Sequence, residues 1–305
     1  MAQERAGGDG HLAALQVEVA AAEGVARGHA LVRFAAALLR ERRAPAALEA
    51  AGVAQAVFAT ESDQTGAGAA HLLAGCALRA LGRLDEAEQR LRAARVVWSQ
   101  GGSPAATARC DVELAGVLRE QGRHEEALDR LREAWHAFRQ ADRLRPAAVC
   151  EHNAGLVLHE LGRLEEAVQT LQTARQQLLD ADDPSAVATV DFNMAIALHD
   201  LGSLHDAVTG YARAERTFSS LGRDSEAAAC DQNRAVVLHA LGDLAGALDA
   251  CHRARARFAA SGTELDVAEC DHNLAVVLRA LGRTDDAEQR AEAARTVFTA
   301  AGRPD

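Results

Sequence analysis

The chain has 305 residues, 49% apolar but only 3% aromatic, and 44 acids against 33 bases give a formal charge of −11. Its acidic balance argues against non-specific nucleic-acid binding, which needs a basic face, and no window of about 18 apolar residues signals a membrane span. No lysine occurs; with abundant alanine, arginine and glycine, that bias points to a GC-rich, bacterial coding genome.

The opening stretch, MAQERAGGDGH, is polar and glycine-rich with no apolar h-region, so it does not read as a signal peptide and the expected address is cytoplasmic. Residues 1–28 are expected to be flexible with room for one short helix, residues 29–300 to form one repeat domain, and 301–305 a tail. Across that domain a forty-residue register runs unbroken. Glycine recurs at 82, 122, 162, 202, 242 and 282, and alanine at 87, 127, 167, 207, 247 and 287 and again at 94, 134, 174, 214, 254 and 294. Trp98, Phe138, Leu178, Phe218, Phe258 and Phe298 close the units. Ala47, Ala54 and Phe58 keep the register in a first, degenerate unit where Arg42 replaces the glycine. About seven units are thus expected.

Each unit reads as two helices. One example runs from about 224 to 241, ended by Gly242, and the next from about 244 to 260, with Leu244, Ala247, Leu248, Cys251, Ala254 and Phe258 at helical spacing. Pro104, Pro146 and Pro184 suit first helical positions, and Thr263 with Asp266 resembles a capping box. Neither helix can bury its apolar face alone, so neighbouring units must stack. The expected fold class is an all-α, right-handed α-solenoid. Cys110, Cys150, Cys230 and Cys270 fall at multiples of forty, with Val190 in the missing place. Such a position is a small buried apolar site, spaced beyond disulfide reach. No CxxC occurs, and neither metal nor cofactor is expected.

The small residue of the first helix (Gly155, Ala195, Ala235, Ala275), the LG turn and the second-helix alanines resemble the tetratricopeptide repeat family over about residues 29 to 300. The match is to a forty-residue variant, seen in polarity adaptors and in sensor regions of bacterial regulators. The resemblance implies that first helices line a concave groove, and that asparagines in them hold peptide backbones or terminal carboxylates.

At 100° per residue, with Val236 at the centre of the groove face, Ala229, Gln232, Asn233, His239 and Ala240 fall within about 60° of it. Asn153, Asn193, Asn233 and Asn273 then form a ladder along one edge, with Leu73 and Glu113 at the earlier rungs. Arg79, Arg119, His159, His199, His239 and Arg279 form the other edge. Between them lie Cys76, Gly116, Leu156, Ile196, Val236 and Val276, with His152, Phe192, Gln232 and His272 adding variety. An asparagine amide both donates and accepts, so a ladder of four could clamp an extended segment whatever its side chains. The basic edge would favour an acidic segment or a carboxylate terminus. A second reading, in which the amides bridge adjacent helices, stands beside the first.

Asp111, Glu151, Asp191, Asp231 and Asp271 point about 140° from the groove centre, between helices. A buried carboxylate needs a partner, and Arg95, Arg175 and Arg255 of the preceding second helices are the candidates for an inter-repeat brace. Five carboxylates one repeat apart cannot share one metal ion. No nucleophile–base pair stands out, so an enzyme is not expected. The leading expectation is a peptide- or protein-binding adaptor. The alternatives are a scaffold that self-associates weakly end to end and, less favoured, a solenoid enzyme or ligand-sensing regulator of a biosynthetic pathway.

Overall fold

The computed structural model describes residues 2–303, with side chains from residue 10 onward. Its helices fall into two compact units that divide at Val157 and Leu158. The first holds α1 (Ala2–Ala21), α2 (Gly24–Arg40), α3 (Ala44–Thr60), α4 (Gln64–Ala80), α5 (Leu84–Gln100), α6 (Pro104–Glu120), α7 (His124–Gln140) and most of α8 (Leu144–Glu160). The second begins in the last turn of α8. It continues through α9 (Leu164–Asp180), α10 (Pro184–Asp200), α11 (Leu204–Ser220), α12 (Asp224–Ala240), α13 (Leu244–Ser261), α14 (Glu264–Ala280) and α15 (Thr284–Ala300). From α2 onward the even-numbered helices are the first and the odd-numbered the second of each repeat, so each unit is a stretch of all-α solenoid.

Three-residue connections dominate. Gly82, Gly122, Gly162, Gly202, Gly242 and Gly282 take φ of 72–84°, the left-handed conformation that ends a helix cleanly. Arg42 adopts φ 56° in the glycine's place, so the degenerate first repeat keeps the turn at the steric cost of a side chain. Pro104 and Pro184 open their helices. Pro146 instead sits at the third position of α8, still within the first turn, where its missing N–H deprives no carbonyl. The capping box does not form. Thr263 makes no side-chain cap bond, and its hydroxyl turns back to the Phe258 carbonyl at 3.3 Å. Asp63, Asp183 and Asp243 do cap, accepting from Gly66, Ala186 and Gly246 N–H groups.

The closing aromatics Phe58, Phe218 and Phe258 wedge between their own first helix and the next one. Phe58 shows why some positions must be glycine: a Cβ at Gly28 or Gly66 would lie 2.5 or 2.3 Å from its ring. In the second unit Phe218 buries with Ala188, Ala227 and Cys230, and Phe258 with Ala228 and Cys270. The forty-residue cysteine row is therefore part of these inter-repeat seams. The segment expected to be flexible carries α1, whose Leu12 and Leu15 join the core of α2 and α3 around Leu31, Leu38 and Phe58. Leu12, Leu15 and Val19 share one helical face, a signal that the surrounding glycines obscure.

Successive first helices touch, α2 with α4 and α4 with α6 in the first unit and α12 with α14 in the second. Successive second helices do not touch comparably among the described residues. The first helices therefore lie on the inner side of the bend within each unit.

Candidate functional site

The accessible strip of the first helices follows the arc that the helical angle assigns. Val236 and Val276 are 43% and 39% exposed, unusual for valines flanked by fully buried Val237 and Ala235. Cys76, Gly116, Leu156 and Ile196 are half-buried along the same line, as are Asn153, Asn193, Asn233 and Asn273 beside it. Asn233 Nδ2 donates to the Ala229 carbonyl of its own helix at 2.9 Å. That leaves an amide N–H and the carbonyl oxygen uncommitted. The side chains of Asn153 and Asn273 make no hydrogen bond among the described residues. Gln232 donates to Glu269 at 3.1 Å, and His272 is exposed.

The opposite edge is not uniformly basic. In the first unit Arg79 Nε donates to Glu120 at 2.7 Å, and its Nη1 reaches Glu113 at 3.4 Å. In the second unit His159 Nε2 lies 2.7 Å from Asp200. The Glu120 and Asp200 contacts each join a base in one first helix to the acid that ends the following one. At the corresponding place after His199 and His239 the sequence has Ala240 and Ala280. His199 and His239 accordingly make no ion pair among the described residues, and neither does Arg279. Arg119 is half-buried. Burial, and then Arg119, push the His152 imidazole down to about 4, so it stays neutral at pH 7 and lends the strip no cation.

Two cavities open along this strip. One of about 190 Å³ in the first unit is lined by Arg79, Glu113, Gly116, Arg119, Asn153 and Leu156, among others. The other, of about 570 Å³ in the second unit, is lined by Gln232, His272, Asn273, Arg279, Arg295 and Phe298, among others.

The repeated carboxylates lie away from the strip and are buried: Asp111, Asp191, Asp231 and Asp271 are 0–4% exposed. Asp111 accepts from Arg95 at 2.7 Å, Asp191 from Arg175 at 2.6 Å, and Asp271 from Arg255 at 2.8 Å. Each of these arginines comes from the preceding second helix. The same aspartates also meet an arginine of their own repeat's second helix: Arg130 at 3.7 Å, Arg213 at 2.7 Å and Arg290 at 3.1 Å. Asp231 differs because Glu215 stands where Arg175 and Arg255 stand. Its donors are Arg234 on its own helix and Arg253 and Arg257 on α13, and Arg257 also holds Glu215 at 2.6 Å. Glu151 is half-buried on α8, with Trp135 at the register position of those arginines.

Burial pushes the thiols of Cys110, Cys150, Cys230, Cys251 and Cys270 up to about 12, which keeps them protonated and poor nucleophiles. Among the described residues no cluster of His, Cys, Asp and Glu could hold a metal ion. No described helix is long and apolar enough to cross a membrane.

A tetratricopeptide repeat family model matches residues 66–140, 105–180 and 228–300, most of the chain. The chain belongs to the tetratricopeptide repeat family. Solved structures share the fold of this tetratricopeptide array at low sequence identity. A signal-transduction ATPase with a tetratricopeptide sensor, from Pyrococcus horikoshii, is 14% identical with a TM-score of 0.78, over 90% of this chain and 43% of that one. BtubC from P. vanneervenii is 19% identical with a TM-score of 0.63, over 72% of this chain and 90% of that one. A Rap protein complexed with competence and sporulation factor is 16% identical with a TM-score of 0.66, over 90% and 80%. No curated protein sequence matches the chain significantly.

Proposed function

We propose that this protein is a non-catalytic adaptor that captures an extended, anionic protein segment on the first-helix strip of its second unit. The observation that carries this reading is the stripped edge: His199 and His239 keep their imidazoles uncommitted because alanine stands at 240 and 280, and Arg279 makes no ion pair among the described residues. Arg279 is charged at any working pH, and the two imidazoles become further cations on protonation. Across the strip, Asn233 and Asn273 offer amides on two successive first helices. Helices about 10 Å apart match about three residues of extended chain at 3.3 Å each, so one amide meets every third residue or so. Ile196, Val236 and Val276 supply an apolar floor between the two edges. The Rap structure with its bound factor is a precedent for a peptide on this architecture.

Fluorescence anisotropy with an acidic peptide and its glutamine-substituted twin tests the reading. The acidic peptide should bind the wild type more tightly than its twin, and Asn233→Ala with Asn273→Ala should weaken both without moving the helical melting curve. Equal affinity for the two peptides would remove the anionic partner. A collapsed melt in the double variant would make the asparagines structural.

A further inference from the structure

The last second helix, α15, presents a face that other second helices give to the first helix after them. Phe58, Phe218 and Phe258 are buried against that following helix, whereas Phe298 is half-buried. Arg295 repeats the contrast in charge. It holds the register position of Arg95, Arg175 and Arg255, whose Nε atoms donate to the aspartate of the following first helix at 2.6–2.8 Å. Arg295 instead touches Glu292 through Nη1, and the two side chains are 66% and 67% exposed. So exposed a pair contributes little, and the Nε that braces elsewhere makes no hydrogen bond among the described residues. Arg279 is the third such group. Arg79 and His159, at its register position, meet the acid that ends the following first helix, but Arg279 is exposed and makes no ion pair among the described residues. Arg279 of α14 and Ala294, Arg295 and Phe298 of α15 line one cavity.

The interior repeats define what fits this face. From α6 to α14 each first helix has alanine at the position of Ala108, cysteine or valine at that of Cys110, and an acid at that of Asp111. In α6, α8 and α10 a second acid ends the helix, at Glu120, Glu160 and Asp200. A second copy of the chain is a poor occupant, because α6, α10, α12 and α14 each pack against a second helix on both sides.

We propose that the end face of α14 and α15 docks a helix of a partner protein, one that carries the pattern Ala-x-small-acid and a second acid about two and a half turns further on. Its first acid accepts from Arg295 Nε, its second pairs with Arg279, and its small residues close over Phe298. This docking goes beyond capture on the strip. Arg295 and Phe298 lie outside the first helices, so the two readings fail separately.

Fluorescence anisotropy on the full chain, with a labelled peptide of the α6 sequence (residues 104–120) under reducing conditions, tests the proposal. Isolated helices of this length are marginal in water, so docking should bring a gain of helical circular dichroism with saturable binding. Asp111→Asn in the peptide should weaken it about tenfold, and Glu120→Gln a few-fold. Arg295→Glu in the protein, at an exposed position, should keep the helical melt and cost at least about tenfold in affinity. A peptide with Asp111→Arg should bind that variant better than the wild type. Four outcomes overturn the proposal. They are no binding at high micromolar peptide, equal binding of the Asp111→Asn peptide, and a loss with Asn233→Ala but not with Arg295→Glu, which would seat the peptide on the strip. The fourth is a wild-type dimer in sedimentation that Arg295→Glu converts to monomer, which would give the face to a second copy.

Discussion

The two units use one repeat plan and differ along one edge. In the first, Arg79 is held by Glu120 and Glu113 of the next first helix. In the second, His159 is likewise held by Asp200, but His199 and His239 face a register position occupied by alanine. A single site per repeat, the last residue of the first helix, therefore decides whether a base ties two repeats together or stays available to a ligand. Stability and binding draw on the same residues, and a repeat protein can assign them differently along its length.

The buried carboxylates give the largest contrast. Asp191 receives three short charge-assisted bonds from Arg175 and Arg213 at 2.6–2.7 Å. Asp111 has one at 2.7 Å and a second arginine only at 3.7 Å, and burial holds its carboxyl above the usual range despite Arg95. Removing one partner of a buried pair strands the other, typically at about 3–5 kcal/mol. Asp191→Ala should fall in that range and Asp111→Ala at roughly half of it, read from urea midpoints. Equal losses would show that bond geometry does not separate the two units.

His152 gives the next largest effect. Its folded-state value near 4 lies below the ordinary 6.5, so on acidification the unfolded chain takes up a proton that the folded chain refuses. Stability should therefore fall as the pH drops from about 6.5 to about 4, by at most about 3 kcal/mol. His152→Gln should flatten that limb of the melting profile. An unchanged limb would place the acid sensitivity elsewhere.

Smaller effects test the edge itself. Ala240→Glu with Ala280→Glu should install in the second unit the acids that the first already has, weakening an acidic peptide about tenfold, or about 1.4 kcal/mol. Glu120→Ala should do the converse, releasing Arg79 and giving a gain of a few-fold at most, since Glu113 remains beside it. If neither change moves peptide affinity, the edge has no part in binding.

The period and its two helices are legible in the sequence because glycine, alanine and the closing aromatic each answer a backbone or packing demand that recurs every forty residues. The arginine partners of Asp111, Asp191 and Asp271 are legible for the same reason. Asp231 is not, because Glu215 breaks the pattern and the compensation comes from Arg234 on its own helix and from Arg257 one turn further along α13. The cavity beside Gly116 is invisible to periodicity, which treats a departure as noise. The length of α1 is hidden among glycines. Asn233 bonding its own helix could not be inferred from angle alone, since that choice is made by a side-chain rotation.

Nearly every helix from α2 onward has seventeen residues, and nearly every connection three. Each half-repeat therefore advances the chain by a fixed twenty residues. Deleting one residue inside a helix would turn the part beyond it by about 100° against its neighbours. Removing a block of forty would leave every seam intact. Length is thus a variable this chain can change in whole steps: reach can be lengthened or shortened while the rules for building each step stay the same.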